Sequence, residues 1–122
     1  MLRNALLTVS LVMIAALPSV AAVERRCGWL DNPTPANWWL TDADGRWIIG
    51  TQGSYQAQGI DKIPDFKPSQ YVKTNGYYGY TCACMNVTTN SSNSSLRRIR
   101  RIYSIKPLNL SQCRRDPHLP DR

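Results

Sequence analysis

Residues Tyr71 to Val87 read YVKTNGYYGYTCACMNV. Two runs rich in Tyr, Val and Thr flank Asn75-Gly76, and Asn-Gly suits the positive φ angles of a type I′ turn. The stretch predicts a β-hairpin whose second arm continues from Tyr77 to Val87. On a strand, Cys82 and Cys84 point to the same face, roughly 6–7 Å apart. A bond between them would close a very small strained ring. Each is therefore expected to reach a different partner.

The partners on offer are Cys27 and Cys113, and the spacing alone does not say which goes where. A redox role would call for Cys-x-x-Cys at a helix start, where one thiol becomes acidic. A zinc site would need four ligands at suitable spacings, and the single histidine, His118, lies in a proline-rich tail. Four cysteines in a small exported chain read as a disulfide framework. Neither a metal nor another cofactor is expected.

Export is read from the first 22 residues. Arg3 supplies a positive start, Ala5 to Ala16 are almost wholly apolar, and Pro18 breaks the run. Ser19-Val20-Ala21 and Val20-Ala21-Ala22 both fit the small-x-small cleavage rule. The apolar run is shorter than the ~20 residues that span a bilayer, so no transmembrane segment is expected after cleavage. Residues 1–22 are thus taken as a signal peptide and 23–122 as one domain, periplasmic or secreted, of 122 − 22 = 100 residues. A chain of this size buries only about two-thirds of its unfolded surface, so covalent staples matter.

Turn signals are frequent along that domain and helical periodicity is absent. Asn32-Pro33-Thr34-Pro35 is a rigid extended or turn segment. Asp42-Ala43-Asp44-Gly45 predicts a hairpin turn between Trp38–Thr41 and Arg46–Gly50. Adjacent Trp38 and Trp39 must then face opposite sides. A further strand is expected over Gly50–Gly59, a connector over Ile60–Ser69, and a loop over the Ser/Asn-rich Thr88–Ser95. Leu96, Ile99 and Ile102 repeat every third residue, which fits a bulged strand over Leu96–Leu108 better than a short helix. The fold class is mainly β: a small antiparallel sandwich or open barrel stapled by two disulfides.

Charge is localised. Glu24 to Ser95 carries 6 Lys/Arg and 6 Asp/Glu, whereas Leu96 to Arg122 carries 8 Lys/Arg and 2 Asp, a net of +6 in the C-terminal third. Arg97, Arg98, Arg100 and Arg101 form the densest basic patch and are candidates for binding an anion or partner. A solvated face that discourages edge pairing is the plainer alternative. Four Trp and six Tyr exceed what a thin core can hold. Trp29, Trp38, Trp39 and Tyr77 are candidates for aromatic contact with a glycan or a protein. No catalytic residue is assigned. Asp31, Asp42, Asp44, Asp61 and Asp65 could supply a carboxylate pair, but nothing in the sequence sets two of them across a cleft.

Arg26-Cys27-Gly28-Trp29-Leu30-Asp31-Asn32-Pro33-Thr34-Pro35, Ile49-Gly50-Thr51-Gln52-Gly53, Thr74-Asn75-Gly76, Cys82-Ala83-Cys84 and Cys113-Arg114-Arg115-Asp116-Pro117 together resemble a family of small exported bacterial proteins, domain of unknown function 4087. The resemblance covers nearly the whole mature chain. It implies export and the four-cysteine pattern, and no activity, cofactor or catalytic residue.

The expected function is that of a non-catalytic binding protein, engaging another protein or an anionic envelope component. Alternatives are an inhibitor or immunity-type protein that probes an exported enzyme with Thr88–Ser95 or Asn32–Pro35, and an enzyme acting through aspartates. A nucleic-acid partner is not expected outside the cell, and the chain is expected to be a monomer. N-terminal sequencing of the exported protein should begin at Val23; an intact Met1 on membrane-retained protein would instead mark an uncleaved anchor.

Overall fold

The computed structural model describes residues 5–14, 21–90 and 96–122. Among them, six strands form one antiparallel sheet: β1 (Glu24–Thr34), β2 (Asn37–Asp42), β3 (Gly45–Gly50), β4 (Tyr71–Asn75), β5 (Tyr78–Thr89) and β6 (Ile99–Leu108). A short helix, α1 (Leu110–Arg114), follows. The spatial order is β3-β2-β1-β5-β4, with β6 also on β5. One edge of β5 is taken by β1 from Gly79 to Val87. The other is shared: β4 covers Tyr78 to Thr81, and β6 covers Cys82 to Thr89.

The sheet curls until its far edge meets β6. The Ile48 N–H donates to the Arg97 carbonyl at 2.8 Å, beside the bridge between Ile48 and Arg98. Residues Gln56 to Gln58 stitch the remaining gap. Ala57 N–H donates to Ile49 at 2.8 Å, Gln58 N–H to Arg100 at 3.0 Å, and Ile102 N–H to Gln58 at 2.8 Å. The outcome is an open barrel.

The inner face buries Leu30, Leu40, Trp47, Ile49, Met85, Val87, Ile99 and Ile102. The outer face of β1 and β5 buries Trp29 and Cys82 under Cys113 and Leu119 of the C-terminal segment. That segment is latched at two points. The Trp29 indole donates to the Pro120 carbonyl at 2.9 Å, and Arg122 grips both oxygens of Asp31.

Several expectations are corrected. The strand over Gly50–Gly59 does not form: Gly50 pairs with Gln56 across a turn, and Gln58 makes one bridge to Arg101. Gly59 has φ 78°, and a Cβ there would lie 2.2 Å from the Ile102 carbonyl oxygen, so the chain bends against β6 instead of running straight. The hairpin turn falls on Gly76-Tyr77, one residue later than Asn75-Gly76, because Asn75 pairs with Tyr78 and only Gly76 takes a positive φ. Thr88 and Thr89 belong to β5, and residues 91–95 of the expected loop lie outside the described residues. So do residues 1–4 and 15–20 of the expected signal; residues 5–14 form no helix or strand and are exposed. The longest missed element is β1, which sits at the centre of the sheet.

The three-residue repeat in β6 has a structural cause. Thr89 pairs with Ile99, Val87 with Ile102 and Met85 with Ile105. Register shifts insert Arg100 and then Tyr103 as extra residues, so inward positions recur every third residue.

Two disulfides complete the fold, Cys27–Cys84 and Cys82–Cys113, and no described cysteine is free. They span 57 and 31 residues. Replacing either pair by Ser should lower the unfolding free energy by about 4 kcal/mol. Urea denaturation of the two double variants measures this; losses of only a few tenths of a kcal/mol from both would refute a stapling role.

Candidate functional site

The basic run lies on the seam where β6 meets β3 and Gln56–Gln58. The bulge at Arg100 prevents the four arginines from forming one flat patch. Arg97 donates to the Asp44 carbonyl of the β2–β3 turn and stacks 5.5 Å from the Trp47 ring. Arg98 is half-buried, its guanidinium 4.9 Å over Tyr55, with a buried Nε that finds no partner among the described residues. Both are therefore tied into the barrel wall.

Arg100 and Arg101 remain. Arg101 is held by Gln58, whose Oε1 accepts from Nε at 2.9 Å. Arg100 is exposed, and its guanidinium makes no hydrogen bond or ion pair among the described residues. The two guanidiniums line a pocket of about 190 Å³ with Gln58, Thr88, Tyr103 and Ala21. No carboxylate is among the described residues that line it. Two cations with a side-chain amide and two hydroxyls provide donors for a tetrahedral anion. The sequence did not mark Gln58, Thr88 or Tyr103 for this role. They meet only through the bridge between Gln58 and Arg101 and the pairing of Thr88 with Arg101.

Tyr55 anchors the seam. Its hydroxyl donates to the Ile99 carbonyl at 2.6 Å. Burial pushes its pKa above 10.0, and the nearby Arg98 and Arg100 charges pull it partly back.

The aromatic candidates separate. Trp29 is corrected: it is fully buried, packs edge-on to Tyr80 at 5.3 Å, and is unavailable as a surface contact. Trp39 is half-buried on the outer face under Arg46, whose guanidinium lies 4.3 Å from its ring. Trp38 and Tyr77 do come together, in a cleft at the mouth of the barrel beside β4.

The aspartates are mostly engaged. Asp31 is bound by Arg122. Asp42 and Asp44 both bind Arg26, at 2.8 and 3.0 Å. Arg26 also pairs with Glu24 and lies 4.0 Å over Trp47, plugging one end of the barrel. Desolvation pulls its pKa down, but the hydrogen bonds it donates to Asp42, Asp44 and Glu24 outweigh it and the net shift is upward. Among the described residues, no three His, Cys, Asp or Glu side chains gather into a metal site.

Fold and pairing define a small, disulfide-stapled, open-barrel domain. The chain belongs to the family described as "Protein of unknown function (DUF4087)", which matches residues 21–120. No curated protein and no solved structure matches it.

The Tyr55 environment has a measurable consequence. A phenol whose folded pKa is raised contributes stability below its unfolded pKa, near 10.0, and loses it as pH climbs through the folded value. Wild-type protein should therefore lose stability above pH 10.0 faster than Tyr55→Phe. Chemical denaturation across that range tests this, and parallel curves would contradict it.

Proposed function

We propose that the protein is an exported, non-catalytic binding module that engages an anionic component of the cell envelope. The observation that carries this is the pocket formed by Arg100 and Arg101, with Gln58, Thr88 and Tyr103 around them and no carboxylate among its described lining residues. Two disulfides support an oxidising compartment. No helix among the described residues is long and apolar enough to cross a membrane. Cleavage after Ala22 would also remove Ala21 from the pocket wall and widen its entrance.

The physical basis is simple attraction followed by fitted hydrogen bonds. The C-terminal third brings a net charge of +6, which draws the domain toward phosphate-rich surfaces. The Arg100 guanidinium then has no hydrogen-bond or ion-pair partner among the described residues to give up. Arg101 is pre-oriented by Gln58, so little rotamer freedom remains to be lost on binding.

Co-sedimentation with phosphatidylglycerol vesicles, against phosphatidylcholine controls, provides the test. Removing an arginine near an anionic surface costs ~1 kcal/mol. Arg100→Ala with Arg101→Ala should thus weaken binding by about 30-fold and flatten its salt dependence. Binding by the double variant equal to wild type would remove the basis of the proposal.

A further inference from the structure

A second site lies at the mouth of the barrel opposite the Arg26 plug. Residues 26 and 32 of β1 both face inward, and the six residue steps of strand from one to the other span ~20 Å. The cleft there measures about 360 Å³ and is open to solvent on one side. Asn32 forms its floor, Trp38 one wall, and the connector residues Ile63 to Phe66 the other. Tyr71 and Lys73 of β4 close the far side, and Tyr77 stands over it from the turn, 85% exposed. It shares no residue with the Arg100–Arg101 pocket.

We propose that this cleft binds an uncharged saccharide. Its walls present ring faces and ring edges in the combination that a sugar needs. Phe66 and Tyr71 stack in parallel, centroids 5.9 Å apart and planes 6° apart, giving a rigid aromatic block. Tyr71 is pinned by donating its hydroxyl proton to the Tyr77 carbonyl at 3.0 Å, which also fixes the turn that carries Tyr77. Flat faces of this kind accept the C–H side of a pyranose ring.

The polar groups match the hydroxyl edges. Both amide protons of Asn32 are committed to the carbonyls of Thr34 and Asn37, at 3.0 and 2.8 Å, so its Oδ1 is left to accept. Trp38 lines the cleft, and its indole N–H makes no hydrogen bond among the described residues, so it can donate to a ligand. Asp65 adds an acceptor and Lys73 a donor. Neither is ion-paired among the described residues, and Lys73 rests 5.2 Å from the Tyr77 ring.

The two unpaired charges are opposite in sign, and that selects against other ligands. A simple anion meets Asp65, and a simple cation meets Lys73. An alkyl chain would cover both and leave them desolvated without partners. A neutral polyol satisfies donors and acceptors alike. The cleft volume is at the small end of ligand sites, which suits the end of a short oligosaccharide.

The test follows the Trp38 indole N–H resonance by nitrogen-15 NMR on the disulfide-bonded protein. The probes are cellotetraose, maltotetraose and chitotetraose, each titrated into the millimolar range. At least one should shift the resonance saturably. Tyr77→Ala should weaken that ligand by about tenfold, the loss expected of one stacking platform. Tyr77 is exposed at a turn, so this variant should keep the wild-type melting temperature; Asp65→Asn, in the exposed connector, serves as a second variant with the same expected direction. Raising salt to 0.5 M should change affinity by less than about twofold, since the ligand carries no charge. Arg100→Ala with Arg101→Ala should leave saccharide binding unchanged, which separates this site from the anion pocket. The proposal is overturned if no probe moves the resonance, if both cleft variants bind like wild type, or if a zwitterion such as glycine betaine saturates the cleft while the sugars do not.

Discussion

Nine consecutive residue pairs join β1 to β5, from Glu24 opposite Val87 to Asn32 opposite Gly79. Cys27 and Cys84 are one of those pairs, so their disulfide clamps the ladder in register. The clamp decides which side chains look inward. Side chains alternate along a strand, and a slip of one residue would exchange the two faces completely. In the observed register Leu30, Ala83, Met85 and Val87 enter the barrel, while Trp29 and Cys82 form the outer core under the C-terminal segment. Gly28 lets β2 cross closely at this point, since a Cβ there would lie 2.0 Å from the Thr41 carbonyl oxygen.

The same register sends two inward positions to opposite ends. Arg26 meets Glu24, Asp42 and Asp44 and closes one mouth with charge. A lone arginine in that place would be costly to desolvate, and three carboxylates offset the cost. Trp47 completes the plug by donating its indole proton to Asp42 at 3.0 Å while its ring lies under Arg26. Asn32 reaches the other mouth, where no such plug exists and aromatic side chains surround an open cleft.

Two surfaces of different character result. The seam at β6 is cationic because its bulges turn Arg100 outward, beside Arg101, with no carboxylate among the described residues that line the pocket. The cleft beside β4 balances one carboxylate against one ammonium amid four aromatic rings. The two surfaces share no lining residue, so neither draws on the other's side chains.

Local chemistry in the sequence was enough for the β2–β3 hairpin, the β4–β5 hairpin to within one residue of its turn, the bulged β6, the even disulfide framework and the family. Asp42 to Gly45 makes a turn in any context that lets its side chains bond the backbone, and Ile99, Ile102 and Ile105 carry their own period. Tertiary structure alone decided the rest. β1 was hidden because Arg26 and Gly28 occupy inward positions where apolar residues announce a strand, and only the carboxylates of another hairpin make that tolerable. The disulfide partners followed from register, which spacing along the chain does not contain. Trp29 and Tyr77 are both large aromatics, yet the first is covered by a segment some ninety residues away and the second stands on a turn in solvent. Burial is a property of what packs against a residue, and that is settled only once distant strands have met.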